Sequence, residues 1–186
     1  MLRRRCFALV LYVMPLVGQQ PMAGPEHKKL AALAGTWDAV AEWGAPGGKP
    51  VQTKGVSERH LRPGGLWLVD DLSVAAPGGN KHDVLGVLGF DPSKGKYVQS
   101  WADSVFPMLV VMEGGFDKEG KVLTMTGIGP GWDGSPAKLR LVTTWRDADT
   151  ELFEVFMPGP DGKEMAAIKT TYTRRAAKQA DAPAKK

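Results

Sequence analysis

Between Leu30 and Trp43 the spacing of the hydrophobic positions changes. Leu30 and Leu33 stand three apart, as on one face of a helical turn. From Trp37 onward, Trp37, Ala39, Ala41 and Trp43 alternate with Asp38, Val40 and Glu42, the every-second-residue pattern of a strand with one buried face. Gly35 falls at the change, where a residue without a Cβ lets the chain turn sharply. Pro25 and Glu26 open the preceding helix with a proline and an acid, as a helix N-terminus prefers.

The remainder of the chain reads as further strands separated by turn clusters. Gly44 to Pro50 ends the first strand, and Val51 to Leu61 forms the second, with Gly55 marking a bulge or a close backbone approach. Leu66–Ala75, His82–Phe90, Tyr97–Val105, Leu109–Phe116, Val122–Ile128, Lys138–Arg146, Glu151–Met157 and Glu164–Arg174 follow. Asp91-Pro-Ser-Lys-Gly-Lys96, Asp117-Lys-Glu-Gly-Lys121 and Gly159-Pro-Asp-Gly-Lys163 carry hairpin chemistry, and Gly129 to Pro136 reads as the longest glycine and proline loop. About ten short strands joined by short loops predict an all-β, up-and-down antiparallel barrel with a short N-terminal helix.

Composition trims this picture at both ends. Arg3, Arg4 and Arg5 precede an apolar run from Cys6 to Val17 that is too short to span a bilayer, so residues 1–18 read as an export signal and residues 19–24 as a spacer. The barrel domain is expected over 25–175. Residues 176–186 have too little apolar side chain to pack and read as a disordered tail. The exported protein is expected in the periplasm or outside the cell, with no membrane span in the mature chain.

Cys6 is the only cysteine, so a chain cleaved after the signal has neither a disulfide nor a catalytic thiol. The net charge of +4 includes the three signal arginines, while Lys178, Lys185 and Lys186 add three positive charges in the tail. The folded part is close to neutral and has no basic stripe with interleaved aromatics, which argues against nucleic-acid binding.

Most catalytic motifs are missing. His27, His60 and His82 lie in separate segments without i, i+4 pairing, no G-x-S-x-G occurs, and the glycine-rich stretches lack the lysine of a phosphate loop. No cofactor or metal is implied. Gly86, Gly89 and Gly127–Gly131 read as strand-edge and turn glycines.

Two polar sets remain. Gln99, Trp101 and Asp103 share a strand face with Tyr97, and Ser57 and Arg59 share one with Gly55. If both faces point inward, an inward carboxylate at Asp103 needs a partner, and Arg59 is the nearest by topology. Either these groups form a polar anchor in an apolar pocket, or they form a structural ion pair or a solvated face. Of the six tryptophans most would fill a small barrel, while Trp132, in a loop among glycines, could close its mouth.

Gly35-Thr-Trp37 resembles the G-x-W that opens the first strand of lipocalins and related calycin barrels, including its short preceding helix. Such barrels lay a late basic side chain across that tryptophan, a place matched by Arg174 or Arg175. A longer set of motifs resembles the bacterial domain-of-unknown-function family 1579 over Pro25 to Arg175. It comprises Pro25-Glu-His-Lys-Lys-Leu30, Leu33-Ala-Gly-Thr-Trp37, Ser57-Glu-Arg59, Gly89-Phe-Asp-Pro-Ser-Lys-Gly-Lys-Tyr-Val98, Trp101-Ala-Asp-Ser104, Leu123-Thr-Met-Thr-Gly127, Thr143-Thr-Trp145, Pro160-Asp-Gly-Lys-Glu164 and Tyr172-Thr-Arg174. The resemblance implies a lipocalin-like fold and brings neither activity nor ligand. Where the family pattern has a basic residue before the tryptophan of the third strand, this chain has Leu66, so no pocket is carried over to Leu66-Trp67.

The sequence therefore leads to an exported barrel that binds a small, mainly apolar ligand inside, with Arg59, Trp101, Asp103 and Trp145 as lining residues. Two alternatives accompany it: an enzyme using Asp103 or Glu58 as general base, and a structural or partner-binding envelope protein with a filled barrel and an exposed apolar patch. The sequence does not fix the oligomeric state.

Overall fold

The computed structural model describes residues 23–176. The expected export signal with Cys6, most of the spacer and the tail beyond Ala176 lie outside the described residues. One helix, α1 (Pro25–Ala31), precedes ten strands: β1 (Gly35–Trp43), β2 (Val51–Leu61), β3 (Trp67–Ala75), β4 (Lys81–Asp91), β5 (Lys96–Asp103), β6 (Val110–Phe116), β7 (Val122–Pro130), β8 (Pro136–Trp145), β9 (Thr150–Pro158) and β10 (Glu164–Arg174). Each strand pairs antiparallel with its chain neighbours, and β1 pairs with both β2 and β10 to close the barrel. Closure leaves no sheet edge open.

The antiparallel connections sort to two ends. At one end lie α1 and the β2–β3, β4–β5, β6–β7 and β8–β9 turns. The remaining turns surround the opposite, open end. Helix α1 closes its end through Leu30, which is fully buried, and through Glu26, whose carbonyl accepts a 2.9 Å hydrogen bond from the Tyr97 hydroxyl. His27 meets the Phe90 ring edge-on at 5.8 Å, and its Nδ1 accepts from the Gly24 N–H, satisfying one of the free donors at the helix start.

Gly35 turns the chain from helix to strand with φ of 132°, in the region where glycine is favoured. Gly55 marks a close approach, with no shift in the β2–β3 register: a Cβ there would sit 2.4 Å from the Ser73 carbonyl oxygen. An irregularity does occur between Ala166 and Ile168 of β10.

Three local expectations change. The loop at 129–136 contracts to 131–135, because Pro130 and Pro136 are paired at the ends of β7 and β8. Strand β5 stops at Asp103 instead of Val105, since one Asp103 carboxylate oxygen accepts from the Val105 and Phe106 amides and turns the chain. Gly86 and Gly89 lie within β4, and Gly127 and Gly129 within β7, so none of the four is an edge or turn glycine, whereas Gly131 is in the turn. At Gly89 a Cβ would fall 2.2 Å from Cε3 of Trp67, so the missing side chain is the seat of that ring on the outside of the barrel.

Candidate functional site: the barrel interior

Alternation along the strands decides what faces inward. On β1 it brings in Trp37, Ala39 and Ala41, on β3 Leu68, Asp70, Leu72 and Val74, and on β9 Glu151, Phe153 and Val155. Small residues at 39, 41 and 86 face bulky ones on other strands. The mismatch leaves a cavity of about 130 Å³. Its walls are mainly apolar, with Trp43, Leu72, Val84, Trp101, Phe153 and Ile168 among them, and the polar side chains of Arg59, Asp70, Gln99 and Glu151 also reach it.

Below the cavity, toward the helix end, Trp37 is fully buried. Its indole nitrogen donates to the Leu33 carbonyl at 3.1 Å, fastening β1 to the residues after α1. Two guanidiniums lie against the ring, Arg174 at 4.0 Å and Arg59 at 5.0 Å. Arg174 is thus the late basic side chain expected on Trp37, while Arg175 turns outward to pair with Asp38.

Arg59 is 6% exposed and each of its three nitrogens already donates a hydrogen bond. It forms a bidentate pair with Glu151, at 2.8 and 2.9 Å, and its Nε donates to Ser57 and to Asp70. Its guanidinium also lies 4.8 Å from the Tyr172 ring. Burial opposes its charge, but the Glu151 and Asp70 carboxylates beside it raise its pKa on balance and hold Arg59 firmly protonated. Burial pushes the Tyr172 phenol up, too far to ionise at neutral pH.

Asp70 is placed differently. One oxygen accepts from the Ser57 hydroxyl at 2.7 Å and the other from Arg59 Nε at 3.1 Å, yet the side chain keeps 29% exposure on the cavity it lines. Burial raises its pKa above the ordinary value of 3.8, against the pull of Arg59 and Ser57, and the Glu151 charge adds to the rise.

Of the four residues expected to line a pocket, Arg59, Trp101 and Trp145 do so. The Asp103 side chain is buried but does not line the cavity, and its expected pairing with Arg59 is not formed, since Arg59 pairs with Asp70 and Glu151. Its oxygens accept from the Trp101 indole and from the Val105 and Phe106 amides, so it works as a turn cap. The His82 ring is the nearest basic side chain, its Nε2 3.7 Å from one Asp103 oxygen, too far for a hydrogen bond. Glu58 is on the outer face of β2 and exposed, which removes it from any interior chemistry. Trp132 donates to the Pro158 carbonyl at 2.9 Å, tying two open-end turns together, and does not line the cavity.

Asp70 and Glu151, the carboxylates that Arg59 does find, went unassigned in the sequence reading. The available signal was strand period: each shares a face with apolar residues two and four positions away. Among the described residues, the buried side-chain polar atoms without a hydrogen-bond partner are His82 Nε2 and Trp145 Nε1, and both residues line the cavity.

A ten-stranded up-and-down barrel, closed at one end by a short helix and an arginine-clasped tryptophan, defines the lipocalin-like, or calycin-like, class. The chain belongs to the protein family of unknown function DUF1579, whose sequence profile matches residues 22–174. The crystal structure of Rv2717c from M. tuberculosis shares the fold, with a TM-score of 0.64 at 16% identity, covering 82% of this chain and 99% of that one. No curated protein matches the chain. Among the described residues, no helix is long and apolar enough to cross a membrane.

Proposed function

We propose that the barrel interior binds a small, mainly apolar ligand. The cavity carries this reading: its roughly 130 Å³ is close to that of an engineered apolar cavity, about 150 Å³, that takes up benzene. Burial of ligand surface at roughly 25 cal/mol per Å² supplies the affinity, and the inward polar groups set orientation. The unpaired His82 and Trp145 nitrogens are further polar groups that a ligand with a polar atom at that position would meet. Native mass spectrometry of protein purified from its own host tests this: a co-purifying small molecule supports it. Absence of any adduct, together with no quenching of tryptophan fluorescence by ring-sized ligands, overturns it.

General-base catalysis fits less well, because Glu58 faces out and the Asp103 oxygens are occupied. Partner binding has one observation in its favour. Leu109, Val111 and its cross-strand partner Ile128 are all more than half exposed on the outer face. A concentration-dependent oligomer in sedimentation, abolished by Val111→Lys, is the outcome that reading requires.

Export is part of the same proposal, supported by Arg3, Arg4 and Arg5 ahead of the apolar run to Val17. N-terminal sequencing of the protein recovered from its host tests it, cleavage near residue 18 being the expected result.

A further inference from the structure

The polar cluster at the base of the cavity carries two carboxylates and one guanidinium. Glu151 takes the terminal nitrogens of Arg59 in a bidentate pair, and both residues are almost completely buried. Asp70 receives only single bonds from Ser57 and Arg59 Nε, on separate oxygens. A carboxylate offers about four lone-pair sites, so Asp70 retains acceptor capacity. It is also the member of the cluster most exposed where all three reach the cavity, at 29% against 6% for Arg59 and 4% for Glu151.

We propose that the cavity selects small organic cations, protonated amines with a ring-sized apolar body, and that Asp70 receives the ammonium group. This deepens the ligand-binding reading above and rests on it. The charge count sets the sign: with Arg59 neutralised by Glu151, an incoming cation balances Asp70, whereas an incoming carboxylate would face a second negative charge with no free guanidinium to meet it. The walls agree with that sign. Trp43, Trp101, Phe153 and Tyr172 all line the cavity, and aromatic faces attract cations most strongly where water is excluded. The volume limits the body of the ligand to about one ring.

An independent feature of the same cavity shows that its polar groups are incompletely paired within the protein. At the open end His82 is 8% exposed, stacks against Trp43 at 5.5 Å, and leaves Nε2 without a hydrogen-bond partner. Asp70 pairs with Gly86, four residues along β4 from His82, which separates their backbones by about 13 Å. An amine anchored at Asp70 therefore points its apolar body toward this end.

The test uses three probes of equal ring size, benzylamine, benzyl alcohol and phenylacetate, titrated into the purified full chain at neutral pH by calorimetry and tryptophan fluorescence. Benzylamine is expected to bind roughly tenfold or more tighter than either of the others, the range of one charge-assisted hydrogen bond. In Asp70→Asn, checked for folding by circular dichroism, the ratio of amine to alcohol affinity falls toward one. Phenylacetate or benzyl alcohol binding as well as benzylamine overturns the amine assignment and leaves ligand binding standing. Failure of all three to bind overturns both. The probe series on the unmodified protein decides the question even if Asp70→Asn does not fold.

Discussion

The Arg174 guanidinium lies 4.0 Å from the centre of the Trp37 ring, while its two terminal nitrogens donate to the carbonyls of Ala34 and Ala32, both at 2.6 Å. One side chain from the end of β10 thus satisfies carbonyls left over after α1 and covers the tryptophan that starts β1. Arg174→Ala is expected to destabilise the domain by about 1–3 kcal/mol, the range of charge-assisted hydrogen bonds with a cation–π contact. Arg174→Lys should recover only part of this, because an ammonium cannot bridge two carbonyls with a planar fork. Urea denaturation of the three proteins checks both statements.

Trp37 itself should matter more. It is fully buried, bonded through its indole nitrogen to Leu33, and packed with Ala39 and Tyr172. Trp37→Ala is expected to cost about 3–5 kcal/mol, the range for large-to-small core substitutions. A near-neutral result in thermal or chemical denaturation would contradict its place at the closure of the barrel.

The ion-pair cluster around Arg59 gives a prediction in which one change is worse than three. Arg59→Met leaves Glu151 buried with no cation and Asp70 without its charge partner, and is expected to cost about 3–5 kcal/mol. Combining Arg59→Met with Glu151→Leu and Asp70→Asn should restore most of that loss, since no buried charge is then left uncompensated. If the triple variant is less stable than the single one, the penalty does not arise from unpaired charge.

The strands were legible because their turns are chemically distinct and their faces alternate. All ten appear in sequence, as does the face that Gln99 shares with Trp101; its inward direction and the choice at Gly55 between bulge and close approach needed the structure, and the late arginine on Trp37 is implied by the lipocalin resemblance. The partners of Arg59 were harder to read, because they depend on which distant strands face one another across the barrel. Glu151 is 92 positions away and follows Arg146-Asp-Ala-Asp149, so along the chain it resembles one more acid of a solvated turn. Asp103 shows the opposite case: its inward parity is right, but ending β5 diverts its oxygens to local amides. Gly89 shows a third, since only the β3–β4 register reveals that its empty side-chain position holds Trp67.

Asp70 should leave a recognisable mark on the pH dependence of stability. Its folded pKa lies above the ordinary 3.8, raised by burial. Between 3.8 and that raised value the folded protein binds more protons at this site than the unfolded chain, so the Asp70 contribution to stability is fully present below 3.8. It is lost as pH rises through the folded value. Surface carboxylates run the other way. Hydrogen bonds from Ser93 and from the Val122 amide hold Asp91 and Asp117 below their ordinary range, so their contributions fade as the solution is acidified. Those terms are common to the unmodified protein and to Asp70→Asn, and they cancel in the difference. The stability of Asp70→Asn relative to the unmodified protein is therefore expected to rise with pH from about 4 upward and then level off. Urea midpoints measured at half-unit steps from pH 3.5 to 8 check this; a flat difference would place the Asp70 carboxylate in water, and a falling one would mean that Arg59 and Ser57 outweigh its burial.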